Sequence, residues 1–481
     1  MPTIKAPAPG LRRSPRRVYL TAFFLGFGLL LPWYAFLNSL PYFVGVFPVA
    51  PVAYYVTISF NSPQLPAQLA LLATGKWPSP RLPLLVGYSV QAAVLFATPF
   101  LATRAIAALL ALVAIAGAAT AVVESALFGG CAELGANAAS ASQAVLAGEG
   151  VASVVANVVQ LVLYTASPAQ RATLTTAYLA GAAAVLLVCA ALSFELARQV
   201  AKQKSQGDKM AEDDVSTPLF LRSLDSTTAV PVEDANAVAS LTDSRTRAIG
   251  AFAQPLPSST AVNRVATSVR LAINISYACW PTLLAIFGSM VLTFLVFPGV
   301  TADVPFTASD GGRDSTLREK GAWSLLLFFI NAVGDLTGRA IAGTDVGGLT
   351  WLGGAEYESL DVEPAQPSDA GGALASPDRR RGIDSLLMRR VFATLAYNAA
   401  RALTLPVFVA VARGWRPPHT DVLVSVNMVL FAVTNGHAQT LAMMIGPLQV
   451  KDEHRGTAAV LHVLCLIAGL WVGSAGALLL G

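Results

Sequence analysis

Residues Val18 to Leu40 read VYLTAFFLGFGLLLPWYAFLNSL, 23 positions without one charged side chain. A helix rises about 1.5 Å per residue, so about 20 apolar residues cross a hydrocarbon core of about 30 Å. Arg12, Arg13, Arg16 and Arg17 precede the run as a leader's basic region would. The run is nevertheless too long for a cleaved leader, contains Pro32-Trp33-Tyr34 and lacks a clear A-x-A site. It reads as an uncleaved spanning helix.

Further runs of the same kind follow. Eleven candidate spans lie near 18–40, 50–73, 82–101, 105–129, 141–165, 172–196, 271–299, 321–343, 386–412, 420–446 and 457–480. The second is interrupted by Asn61-Ser62-Pro63 and Pro66 and predicts a kinked helix, which neighbouring helices can tolerate by satisfying the freed backbone groups. The composition agrees: the chain of 481 residues is 54% hydrophobic and 12% charged, half the roughly 25% charge of a soluble domain. A polar skin for a soluble fold is missing, and a bilayer removes the need for one.

The net charge of +4 comes from short basic clusters beside apolar runs rather than from an aromatic-rich basic face, so nucleic acid is not an expected partner. Cys131, Cys189, Cys279 and Cys465 are scattered, with neither CxxC nor Cys/His spacing, and predict neither disulfides nor a metal centre. No cofactor motif and no nucleotide-binding P-loop occurs, and no catalytic triad or paired-Asp arrangement recurs at bilayer depth. The chain therefore reads as a transporter and not an enzyme. A membrane receptor or intramembrane enzyme is a distant alternative.

Lys and Arg in the loops set orientation. The basic N-terminus, Lys76 and Arg81, Arg198 to Lys204, Arg379 to Arg390, and Lys451 with Arg455 share one side if every span is real. The expected topology puts the N-terminus in the cytosol and Gly481 outside. The expected organisation is a cytosolic tail (1–17), a six-helix bundle (18–197), a disordered cytosolic loop (198–270) and a five-helix bundle (271–481) carrying a polar loop at 344–384. Such two-lobed chains commonly rock around a midplane solute site.

Ionisable groups at bilayer depth cost several kcal/mol unless paired or facing a cavity, which makes them the informative positions. Glu124 has small or apolar neighbours in sequence and no evident partner. Glu149 lies between Gly148 and Gly150, where a helix-end position is the alternative to a functional one. Asp335 and Arg339 are four apart with the acid first, the favourable order for an intrahelical pair, and would line a polar cavity. Arg401 precedes Pro406 by five residues and suits a structural contact or a gate. Trp33, Tyr34, Phe36, Tyr42 and Phe43 suggest an interfacial aromatic belt, and Gly469, Gly473 and Gly476 a small-residue packing face.

Three stretches together resemble the equilibrative nucleoside transporter family. They are Leu31-Pro32-Trp33-Tyr34-Ala35-Phe36 with Tyr42-Phe43, Asp335-Leu336-Thr337-Gly338-Arg339, and Thr434-Asn435-Gly436 with Gly446-Pro447 and Val450-Lys451. The resemblance implies a fold related to the major facilitator superfamily and facilitated alternating-access movement of nucleosides or nucleobases. It implies that Trp33 and Leu37 flank the solute, that Phe297 and Pro298 form apolar wall, and that Asp335 and Arg339 make polar contacts. Glu124 falls where many members carry glutamine, and Tyr34 where asparagine is usual. The acid in place of the amide raises proton-coupled uptake as a second mode. Glu149 is similar to an acid in the monoamine-carrying branch, so organic cation transport is the alternative reading. Tyr34, Glu149 and Arg401 are candidates for gating or coupling. A monomer in the plasma membrane of a eukaryotic cell is the expected state.

Overall fold

The computed structural model describes residues 15–48, 52–74, 80–102, 104–165, 167–216, 261–297, 299–302, 304, 322–344 and 391–480. Among the described residues every regular element is helical. The N-terminal lobe comprises α1 (Pro15–Asn38), α2 (Leu40–Val46), α3 (Val52–Asn61), α4 (Gln64–Thr74), α5 (Arg81–Leu101), α6 (Ile106–Ala132), α7 (Ala138–Thr165) and α8 (Pro168–Ser216). The C-terminal lobe comprises α9 (Ala261–Val296), the short α10 (Gly299–Ala302), α11 (Ala322–Ala342), α12 (391–400), α13 (Leu405–Ala412), α14 (Thr420–Ile445) and α15 (Arg455–Leu480). Ten helical stretches among the described residues are long and apolar enough to cross a membrane.

The expected span that is not among these ten is the second, the broken one. It divides into α3 and α4 at Ser62-Pro63, because proline lacks the donor that an unbroken helix needs there. The carbonyls around the break find other partners: Gln64 Nε2 donates to Phe60 O at 3.2 Å, and Trp471 Nε1 donates to Asn61 O at 3.1 Å. Gly117 of α6 admits the Phe60 carbonyl, since a Cβ there would collide with it. The break is thus packed and hydrogen-bonded, as a non-helical backbone in lipid must be. The ninth span is likewise interrupted, with a tight 3₁₀ turn at Arg401–Thr404 ahead of Pro406.

Both the interior and the outer surface are apolar. Leu25, Leu29, Phe36, Phe43, Tyr88, Leu95, Phe128, Phe408 and Phe431 are fully buried, while Leu20, Phe24, Phe96, Phe100, Leu187 and Leu430 point outward. Exposed leucine and phenylalanine on long helices is the surface a hydrocarbon solvent requires. The expected aromatic belt is corrected here. Phe36 and Phe43 lie in the core and Trp33 and Tyr34 are only half-exposed, because α1 and α2 turn these rings into their lobe. Gly469 and Gly473 of α15 do form a close-packing face, against the Phe287 and Val291 carbonyls of α9.

The expected loop at 198–270 is helical at its edges. Helix α8 continues to Ser216 and α9 begins at Ala261, while 217–260 lie outside the described residues. Residues 1–14 and 345–390, covering most of the expected tail and second polar loop, also lie outside them.

Candidate functional site

Four helices from both lobes converge on one set of polar side chains. On α11, Asp335 and Arg339 are 8% and 6% exposed, and Arg339 Nε donates to Asp335 Oδ2 at 2.6 Å. The expected intrahelical pair is present. It also has a third member: Arg339 Nη1 donates to Glu149 Oε2 at 2.7 Å and to the Leu146 carbonyl at 2.9 Å, both on α7 of the other lobe. Glu149 is therefore no helix-end residue but a buried counter-charge across the lobe boundary.

On α14, Asn435 and Gln439 stand one turn apart and meet the α11 pair rung by rung. Asn435 Nδ2 donates to Asp335 Oδ1 at 2.7 Å, and Arg339 Nη2 donates to Gln439 Oε1 at 3.2 Å. The helices must approach closely for these short bonds. Gly338 allows it, since a Cβ there would collide with the Val433 carbonyl, and Gly436 allows it against the Asp335 carbonyl. The glycines of Asp335-Leu336-Thr337-Gly338-Arg339 and Thr434-Asn435-Gly436 thus serve to seat the acid, base and amide beside them. Arg339 uses four of its five N–H donors in these bonds.

Arg401, 2% exposed, lies behind Asn435. Its Nη1 donates to Ser289 Oγ at 2.6 Å and Asn398 Oδ1 at 3.1 Å, and its Nη2 to Thr293 Oγ1 at 3.2 Å. Its guanidinium carbon stands 5.1 Å from the centre of the Phe431 ring, a cation–π distance. Among the described residues the guanidinium thus meets side chains of its own lobe.

Of the remaining expected residues, Tyr34 and Glu124 lie within electrostatic reach of the cluster. The Tyr34 hydroxyl hydrogen-bonds Ser153 of α7 and lies within electrostatic reach of Asp335, Arg339 and Glu149. Trp33 stacks on Phe60 with ring centres 4.9 Å apart, and half-buried Leu37 follows one turn later. Phe297 packs edge-on to Phe328 at 4.8 Å. Pro298 lies outside the described residues. Glu124 of α6 is 6% exposed, makes no hydrogen bond or ion pair among the described residues, and feels the Glu149 charge. Among the described residues no group of three or more His, Cys, Asp and Glu side chains is placed to hold a metal.

Sequence reasoning missed Asn435, Gln439, Ser289 and Thr293 as members of the site. Asn435 carried a signal, since an amide at bilayer depth needs partners. Its spacing from Gly436 was visible, but its partner 100 residues away was not.

Two helical lobes meeting on a buried polar cluster define a membrane transporter. The solved structure of a proton:xylose symporter of the major facilitator superfamily, XylE bound to 6-bromo-6-deoxy-D-glucose, superposes with a TM-score of 0.52 at 13% identity, covering 96% of this chain and 87% of that one. The E. coli fucose:proton symporter FucP gives a TM-score of 0.47 at 13% identity, over 96% and 91%. The chain thus shares the overall helical fold of that xylose symporter. A search of curated proteins found no matching sequence. The Nucleoside transporter family model matches residues 110–345 and 389–480, and the chain belongs to that family.

Proposed function

We propose that this chain carries nucleosides or nucleobases across a membrane by alternating access, with the polar cluster of Glu149, Asp335, Arg339 and Asn435 as the centre about which the lobes rock. The observation that carries the reading is the position of Arg339. One guanidinium is bonded to both lobes at once, so a solute that engages it or its partner Asp335 acts directly on the lobe boundary. A ribose or purine offers donors and acceptors in fixed directions, which a carboxylate and a guanidinium can match. Trp33, Leu37 and Phe297 supply apolar surface for the heterocycle, with Tyr34 and Arg401 serving packing and gating.

The basic loops support a cytosolic N-terminus, and an odd number of spans then places Gly481 on the opposite side. The plasma membrane and a monomeric state complete this reading. Glu124 adds a proton-coupled mode, because a buried carboxyl with no cation beside it is a group that can carry a proton through the cycle.

A second reading rests on the same residue. Glu124 is a buried acid without a partner among the described residues, and Glu149 lies within its electrostatic reach, so an organic cation would find counter-charge there.

Uptake of radiolabelled adenosine by cells expressing the chain, with Asp335→Ala alongside, separates these readings. Saturable uptake that Asp335→Ala abolishes supports the nucleoside reading. Uptake of serotonin that adenosine does not compete with would sink it in favour of the cation reading.

A further inference from the structure

Arg401 has no carboxylate within ion-pair distance among the described residues, although it is as buried as any charged side chain among them. Its nearest acid, Asp335, is reached only through intermediaries. A guanidinium can donate but never accept. Ser289 and Thr293 must therefore spend their lone pairs on Arg401, which turns their hydroxyl hydrogens away from it. Ser289 Oγ donates to Asn435 Oδ1 at 3.1 Å, while Thr293 Oγ1 stands 2.7 Å from both that oxygen and the Ser289 carbonyl and shares its single hydrogen between them. With its carbonyl so occupied, the Asn435 amide has one orientation left, and its Nδ2 donates to Asp335 Oδ1. The path from Arg401 through Ser289 and Asn435 to Asp335 thus runs in one direction throughout.

We propose that Asn435 is the positioning residue for Asp335, passing the donor polarity of Arg401 through Ser289 and Thr293 so that the Asp335 carboxylate stands as a fixed acceptor for the solute. The inference rests on the reading of Asp335 as a solute contact. The chain of bonds explains three things at once. It gives a buried arginine a compensating charge through two intervening side chains. It holds the second oxygen of Asp335 as firmly as Arg339 holds the first. It also gives the Asn-Gly pair a single purpose, with Gly436 bringing α14 close and Asn435 using the closeness. The groups that share this neighbourhood are Asp335 and Arg339 on α11, Glu149 on α7, Tyr34 on α1, and Arg401 with Tyr397 across α12 and its following turn.

The test compares Asn435→Leu, Asn435→Asp and Thr293→Val with the wild type in the full-length chain. Purified proteins are melted at neutral and acid pH, and adenosine uptake is measured over a concentration series. If Asn435 only fills space, the near-isosteric Asn435→Asp is the mildest change. If it donates to Asp335, Asn435→Asp is the worst at neutral pH, because two carboxylates then face each other. Asn435→Asp should recover as pH falls, since a protonated carboxyl regains one donor, while Asn435→Leu should not. Asn435→Leu should raise KM for adenosine by about tenfold with Vmax nearly unchanged, the loss expected when an acceptor is no longer held in place. Thr293→Val, with one hydroxyl gone and the volume kept, should fall between wild type and Asn435→Leu, and it serves if the leucine variant does not fold.

The proposal is overturned if Asn435→Asp melts like the wild type at neutral pH, or if it shows no recovery in acid. An unchanged KM with the melting order as described would also overturn it, by reducing Asn435 to a structural role. A wild type that carries no adenosine at all would instead sink the substrate reading, and the melting order alone would then judge the relay.

Discussion

Glu149 Oε2 and Arg339 Nη1 lie 2.7 Å apart, the acid on α7 of one lobe and the base on α11 of the other. Nearby, Gln143 Nε2 donates to the Arg339 carbonyl at 3.2 Å, and Gly343 packs against the Gln143 side chain. These contacts join the beginning of α7 to the end of α11, so they close the lobes toward the membrane face at which α1 begins. On the proposed alternating-access cycle this seam must part. A buried pair is a suitable latch because it has a definite closed geometry and an acid and base that water can solvate once it opens.

Glu149→Gln should therefore loosen this closure. Removing one partner of a buried pair costs about 3–5 kcal/mol, though here Asp335 still compensates Arg339, so the lower end is expected. Cysteines placed by Gln143→Cys and Gly343→Cys in an otherwise cysteine-free chain should cross-link readily. The yield should drop severalfold when Glu149→Gln is added, and an unchanged yield would show that the seam is held by packing alone.

Gly338→Ala and Gly436→Ala should each destabilise the protein by about 1–3 kcal/mol, the cost of forcing a methyl group into a filled interface. In both the obstructing atom is backbone, which cannot rotate away. Gly181→Ala, with nothing within 4 Å of its Cβ, should leave the melting temperature unchanged or raise it slightly through helix propensity. Thermal unfolding in detergent compares all three.

These two glycines also show how far the sequence could be read. The spans were legible because about 20 consecutive apolar residues have few other uses. The α3–α4 break was legible at Pro63, and the Asp335–Arg339 pair at a separation of four. Glu149 was legible as an anomaly and not as a partner, since 190 residues separate it from Arg339 and local spacing carries no such information. The aromatic belt was misread for a different reason. In a helix whose lipid face and core face are both apolar, hydrophobic periodicity disappears, so nothing in the sequence says which way Phe36 and Phe43 turn.

Glu124→Gln tests whether a proton travels with the solute. Under proton-coupled uptake the wild type should transport faster as external pH falls, and Glu124→Gln should flatten that dependence while preserving exchange of solute across the membrane. Identical pH profiles for the two proteins would remove Glu124 from the coupling mechanism.

Thr282→Val should weaken the packing within the C-terminal lobe. The Thr282 hydroxyl lies 2.9 Å from His462 Nε2 and accepts from Gln449 Nε2 at 2.7 Å, joining α9, α15 and the turn after α14. Losing both bonds in a buried position should cost about 1–3 kcal/mol, read as a lower melting temperature. Since the node lies away from the polar cluster, KM for the solute should change little.

Helix α8 has 49 residues, about 74 Å of rod at 1.5 Å per residue, whereas the bilayer core takes up only about 30 Å. Its polar end from Arg198 to Ser216 thus works as a pointer fixed to one lobe. A rocking motion of about 10° would carry the tip of a 30 Å pointer through about 5 Å, within range of a distance measurement between spin labels or fluorophores. The proposed rocking about the buried polar cluster can accordingly be followed from outside it, by watching the end of one helix move.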